Sequence, residues 1–192
     1  MLRWFRGCLV LAPVLMSGCG MYQRSDGWRD ALMMQTAQLG YRNWIVVAEA
    51  SFPAHSRPGV RQINADAEIP AVVDEVLRTL ERTEQVTPNV FVAREMRVVE
   101  NDYAPGIDEF RKQLHSALHS RETTELEQQS LLTLMEDATK SFEVLVIRTK
   151  TALPYTSVFM ELQPGYWNAD SEDRLRDRIE RQRMEKLARP MP

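Results

Sequence analysis

The stretch LGYRNWIVVAEASFPAHSRPGVRQIN, Leu39 to Asn64, decides how this chain is read. An amphipathic helix stops just before it, and Gly40 supplies the residue type that best tolerates the left-handed backbone at a helix end. Trp44-Ile-Val-Val-Ala48 follows, short, apolar and rich in β-branched side chains. Such a run reads as a strand covered on both faces, the kind that belongs to a parallel sheet. It ends on Glu49, and a loop with two prolines and a glycine carries His55, Ser56 and Arg57. Ligands of open α/β sheets bind beyond the carboxyl ends of the strands. A carboxylate, an imidazole, a guanidinium and hydroxyls fall there within nine residues, Glu49 to Arg57.

Outward from this stretch, strands and helices alternate. Arg29–Leu39 has Leu32, Met33, Thr36 and Leu39 at helical spacing, and Val60–Asn64 reads as a second short strand. Ile69–Gln85 is a helix with Pro70 in its first turn and Val72, Val73, Val76, Leu77 and Leu80 on one face. Asn89–Ala93, Glu143–Ile147 and Ser157–Leu162 read as strands. Gly106–Ser120 and Glu125–Phe142 read as helices, the first turning Ile107, Phe110, Leu114 and Leu118 inward, the second Leu131, Leu132, Met135 and Ala138. This order predicts a layered α/β fold, a mostly parallel sheet flanked by helices. Asp170–Arg189 is a charged helix with only Leu175, Ile179 and Leu187 apolar, too thin a stripe for a core helix, and it reads as a solvated arm or a subunit contact.

The 192 residues, 44% of them hydrophobic, suffice for one domain with its own core. A net charge of −3 gives no basic excess, which argues against nucleic acid as a partner. The only cysteines, Cys8 and Cys19, lie at the extreme N-terminus, so no cysteine metal site or disulfide is expected in the domain. The three histidines show no metal-binding spacing; His115 and His119, four apart on one helix, lack a third ligand and read as part of a solvated face.

The first eighteen residues, MLRWFRGCLVLAPVLMSG, form an address: Arg3 and Arg6, then an apolar run from Cys8 to Met16, then small residues before Cys19. The run is too short to span a membrane and has the layout of a secretory signal peptide. Leu15-Met-Ser-Gly-Cys19 resembles a bacterial lipobox, with Met16 where leucine is usual. The alternatives are a lipoprotein acylated on Cys19 and an ordinary signal sequence; small residues before a cysteine, placed where cleavage should fall, favour the lipoprotein. An anchor of two or more acyl chains is enough for stable attachment. The chain then divides into a signal peptide (1–18), a tether (19–28), a domain (29–167) and a charged helical arm (168–192), held on the periplasmic side of a bacterial cell envelope. Loss of 1–18 removes two arginines and no acid, which takes the net charge from −3 to about −5.

Phe52-Pro-Ala-His-Ser56, the helix-Leu-Gly entry to the first strand and Ile63-Asn-Ala-Asp66 resemble the RbsD/FucU family of ribose pyranases and fucose mutarotases, its fucose branch in particular. The resemblance resumes at Met135-Glu-Asp-Ala-Thr-Lys-Ser-Phe142 and Pro154-Tyr-Thr-Ser157, and covers roughly Asp30 to Gly165. It implies a three-layer α/β subunit assembled into a ring of five or ten copies. It implies interconversion of anomers or ring forms of a free monosaccharide, by acid/base ring opening with no metal or nucleotide cofactor.

Carried over position by position, the resemblance makes Tyr41, Glu49 and His55 the catalytic candidates and Arg57, Tyr155 and Ser157 the substrate-binding ones. Tyr41 stands where the family has its general-acid histidine, Asn43 where it has aspartate, and Glu49 where it has a strand-end aspartate. Met135 takes the place of a His or Tyr, and Tyr155-Thr-Ser157 that of a Tyr-x-Asn. Each residue also has a structural alternative: Tyr41 as a packing aromatic, Glu49 as a salt bridge to Arg42 or Arg57, His55 as part of a rigid turn, Tyr155 as an interface residue. Two functions stand side by side on these residues. One is a sugar mutarotase or pyranase. The other is a catalytically silent, lipid-anchored protein that binds carbohydrate or serves envelope assembly.

Overall fold

The computed structural model describes residues 27–188, and the expected signal peptide, Cys19 and most of the expected tether lie outside the described residues. In chain order the elements are α1 (Gly27–Thr36), β1 (Trp44–Ala48), β2 (Val60–Asn64), α2 (Ile69–Thr83), β3 (Val86–Ala93), a 3-10 turn (Arg94–Arg97), α3 (Ile107–Ala117), β4 (Thr123–Leu126), α4 (Gln128–Ala138), β5 (Val144–Arg148), β6 (Val158–Pro164) and α5 (Ala169–Ala188). The six strands form one sheet in the order β2-β5-β1-β6-β3-β4. β1 and β2 run parallel to β5, and β3 runs parallel to β4; β6 is antiparallel to both its neighbours, β1 and β3. The reversal of β6 follows from its connection. Only nine residues join β5 to β6, fewer than a parallel crossover needs.

All five residues of β1 are buried because layers cover both faces of the sheet. Ile45 and Val47 join the core beneath α1, α2 and α3, where the full α2 stripe, Ile107, Phe110 and Leu114 of α3, and Leu118 at its C-terminal cap are also buried. Trp44, Val46 and Ala48 turn to the other face and pack with Leu131, Met135 and Ala138 of α4. Alternation along one strand thus divides its side chains between two cores, and three layers result, as expected.

Four local expectations need correction. Residues 125–127 do not begin a helix: Thr123–Leu126 is an edge strand parallel to β3, and α4 starts at Gln128, whose N–H donates to both carboxylate oxygens of Glu95 at 3.1 Å. Thr-Thr-Glu-Leu shows no apolar alternation because three of its four residues face solvent. β3 begins at Val86 rather than Asn89; Pro88 fits inside it because β4 pairs only from Val90 onward, so this part of β3 has a free edge. α1 starts at Gly27 rather than Arg29, and Trp28 is buried in the core. Met33, placed on the inner face by spacing, is exposed.

Candidate functional site

β1 and β5 end side by side, and the chain beyond them is stitched together. The Ala48 carbonyl accepts the Thr149 N–H (2.9 Å) and hydroxyl (2.8 Å), and the Ala50 N–H donates to the Thr151 carbonyl at 2.8 Å. β6 runs the opposite way, so its first residues arrive at this same end of the sheet. Ser157 is 1% exposed there. Its hydroxyl accepts the Glu49 N–H at 3.2 Å and donates to Glu49 Oε2 at 3.4 Å, while Ser51 Oγ donates to Oε1 at 3.1 Å. A carboxylate has about four acceptor positions. Two hydroxyls use one on each oxygen, and the rest remain for a ligand.

The salt-bridge alternative for Glu49 is not what the structure shows. Arg42 stacks its guanidinium 4.5 Å from the Phe142 ring. Arg57 donates to Thr139 Oγ1 at 3.0 Å and to the Glu136 carbonyl at 3.4 Å. It therefore ties the loop to the C-terminus of α4, where helix carbonyls lack intrahelical partners.

His55 lies on the loop that leaves Glu49, its ring 5.8 Å from Phe52, which in turn meets Phe159 edge-on. Its Nε2 is buried without a hydrogen-bond partner. Leaving such an atom unpaired costs roughly 1–3 kcal/mol, a cost that a bound hydroxyl or a neighbouring chain would remove. Tyr155 sits two residues before Ser157 with φ 59°, left-handed backbone that a tyrosine seldom adopts. The Thr156 hydroxyl pins this turn by donating to the Leu153 carbonyl at 2.7 Å, and the Tyr155 side chain is 40% exposed. Glu49, Ser51, His55, Tyr155 and Ser157 therefore share one end of the sheet. Ser51 is the member that the sequence did not single out; its position two residues after the strand-end carboxylate was the available signal.

Tyr41 does not join them. It precedes β1 in the turn that Asn43 closes by accepting the Gly40 N–H at 2.7 Å. Glu49 follows β1, and five strand residues at about 3.3 Å each put roughly 16 Å between the two ends. Tyr41 instead lines a cavity with residues of β3, β6 and the start of α5. In a single chain, Tyr41 and Glu49 cannot reach the same sugar ring.

Away from this end, Asp74 on α2 accepts from Arg78 Nε at 2.9 Å and His119 Nε2 at 2.7 Å. Burial alone would raise the Asp74 carboxyl, but these two partners outweigh it and hold it below the ordinary carboxylate value. This accounts for His119 as a hydrogen-bond partner of Asp74 on the surface. Among the described residues, no group of three or more His, Cys, Asp and Glu is placed to hold a metal ion.

The sequence profile of the RbsD / FucU transport protein family matches residues 28–162, and the chain belongs to that family. Solved structures that resemble it include Bacillus subtilis RbsD complexed with D-ribose, 23% identical with a TM-score of 0.47, covering 68% of this chain and 89% of that one. The fucose mutarotase of Streptococcus pneumoniae in complex with L-fucose is 20% identical, with a TM-score of 0.46 and the same coverage, 68% and 89%. FucU from Bifidobacterium longum is 13% identical, with a TM-score of 0.45 and coverage of 69% and 92%. No curated protein matches. The family match ends at Leu162, so α5 lies beyond it.

Proposed function

We propose that the protein is a monosaccharide mutarotase or pyranase that acts by acid/base ring opening. The observation that carries this reading is the Glu49 carboxylate, held at the carboxyl end of β1 by two serine hydroxyls and paired with neither Arg42 nor Arg57. Membership of the family supports it. In the forward step Glu49 takes the proton of the anomeric hydroxyl. The C1–O bond to the ring oxygen breaks as the C1 carbonyl forms, and a proton donor returns one proton to the ring oxygen. Reclosure on the other carbonyl face, or through another hydroxyl, gives the second anomer or ring size.

His55 is the donor on the same end of the sheet. Tyr155 and Ser157 orient the sugar and the base. Arg57 acts on the ligand only by holding the loop in place. Tyr41 contributes to the Glu49 centre only from a neighbouring chain, which the family's ring of five or ten copies would provide. Anchoring through an acylated Cys19 at the bacterial envelope belongs to the same proposal. The second reading, a binding protein without catalysis, draws on the separation of Tyr41 from Glu49 within one chain.

Mutarotation already proceeds in water, so acid/base help of about 10²–10⁴-fold is readily measured. Saturation-transfer NMR on free pentoses, hexoses and deoxyhexoses should show anomer or ring-form exchange faster than buffer for at least one sugar. Exchange at the buffer rate for every sugar would refute the enzyme, and binding on the same panel would then support the silent reading.

A further inference from the structure

The long C-terminal helix α5 (Ala169–Ala188) is the one element that packs against neither core. Asn168 caps it by accepting the Ser171 N–H at 2.8 Å, and Asp170 and Glu172 suit its first turn. Arg176 pairs with Glu172 four residues back at 2.6 Å. Every residue from Asp173 to Leu187 is exposed, and α5 gives no residue to either core. It also lies beyond the segment that the family profile matches.

Its charges are sorted by face. At 3.6 residues per turn, Leu175 and Ile179 form a narrow apolar stripe. Arg174, Arg178 and Arg181 run along one flank of it, Arg176 and Arg183 along the other, with Lys186 in line. Asp170, Asp173, Asp177 and Glu180 fall on the opposite face. On the basic side only Glu172 and Glu185 are acidic, and Glu172 is occupied by Arg176 and by the indole N–H of Trp167, which donates to it at 2.8 Å. Among the described residues, Arg178, Arg183 and Lys186 have no ion-pair partner. Trp167 borders this basic side: with Ser171, Arg174, Leu175 and Arg178 it lines a shallow cavity of about 230 Å³. Tyr166 beside it is exposed as well.

We propose that this face of α5 docks on an anionic phospholipid bilayer, its arginines and Lys186 on the lipid phosphates and Trp167, Leu175 and Ile179 at the edge of the acyl region. Arginine grips a phosphate through a bidentate fork while its stem lies along apolar surface, and tryptophan favours the boundary between the two. The apolar stripe is too thin to hold the helix by itself, so charge supplies most of the binding. A second copy of α5 does not fit this face, because the arginines flanking the stripe would meet arginines. The inference rests on the envelope location proposed above only for the presence of a bilayer, and vesicles test the helix without it.

Both cores lie between Trp28 and Leu162. The chain from Gly20 onward therefore keeps them whole, and it drops the apolar run 8–16 and Cys19, which are expected to hold lipid on their own. It is co-sedimented with vesicles of phosphatidylcholine alone, or of phosphatidylcholine mixed equally with phosphatidylglycerol. It should bind only the mixed vesicles, and come off as salt rises from roughly 0.1 M to 1 M. Trp28 and Trp44 are buried, so a blue shift on binding reports Trp167. Arg174→Gln, Arg178→Gln and Arg181→Gln together should weaken binding about a hundredfold, at about fivefold per charge. Arg→Lys at the same three positions should keep the binding, which guards against a lost helix. Asp173→Asn, Asp177→Asn and Glu180→Gln on the other face should not weaken it. Equal binding by wild type and the triple Arg→Gln variant, or a wild type that stays in the supernatant with both vesicles, would overturn the proposal. Retention on immobilised polyglutamate without vesicle binding would overturn it too, and assign the face to an acidic protein. None of these results bears on the sugar exchange assay or on detergent partitioning through Cys19, so the proposed function stands or falls separately.

Discussion

Replacing Ser157 with alanine tests whether the strand-end carboxylate is built into the fold or merely resting there. Ser157 is 1% exposed, and one hydroxyl serves both the Glu49 N–H and the Glu49 carboxylate. Alanine leaves the N–H without its acceptor, which costs roughly 1–3 kcal/mol in a buried setting. The hydroxyl-to-carboxylate bond is long and partly solvated, so its loss adds little. A net loss of about 2 kcal/mol should lower the melting temperature by about 4–8 °C in a domain of this size. Ser51→Ala is the control. Its hydroxyl bonds the other carboxylate oxygen from an exposed position, and a change within about 0.5 kcal/mol is expected. Calorimetry reads both variants, and the double variant with Glu49→Gln shows whether the Ser157 effect runs through the carboxylate. Equal melting of Ser157→Ala and Ser51→Ala would refute the reasoning.

Other outcomes follow from the same structure. A Cβ on Gly165 would fall 2.5 Å from the Glu84 carbonyl oxygen, where the chain end of β6 crosses the turn after α2; Gly165→Ala should destabilise by about 1–3 kcal/mol, read by denaturant unfolding. Asp74 has a depressed carboxyl, so its contribution is complete above the ordinary carboxylate value and fades as pH falls through the depressed one. Asp74→Asn should flatten that acid decline in a melting series, and an unchanged profile would count against the pairing. Wild type should partition into detergent and Cys19→Ala should not, whereas the soluble form should elute as a five- or ten-subunit ring on sizing; equal partitioning or a strict monomer would remove the respective proposal.

The layered fold was legible because its signals were apolar and periodic. Val72, Val73, Val76, Leu77 and Leu80 announce α2, and Trp44–Ala48 announces a strand covered on both faces; all are buried. β4 was not legible. An edge strand that exposes threonine and glutamate leaves no hydrophobic trace, and only its pairing with β3 defines it. Of the candidate site, Glu49, His55, Tyr155 and Ser157 fall at one end of the sheet because a strand's last residue and an antiparallel neighbour's first residue meet in space. Tyr41 falls at the other end for an equally simple reason. It precedes the strand that Glu49 follows, so residues eight apart in sequence point to opposite edges. Arg57 could not be placed from the loop sequence, because its partners on α4 lie about eighty residues away.

The most direct measurement is the anomer exchange rate of Glu49→Gln beside wild type, by saturation-transfer NMR on the sugar that wild type turns over fastest. Glutamine keeps the shape and an amide oxygen that accepts from one of the two serine hydroxyls, but it cannot take a proton. With size and melting temperature preserved, exchange should fall to the buffer rate. Exchange by Glu49→Gln at the wild-type rate would contradict the assignment of the strand-end carboxylate as the base.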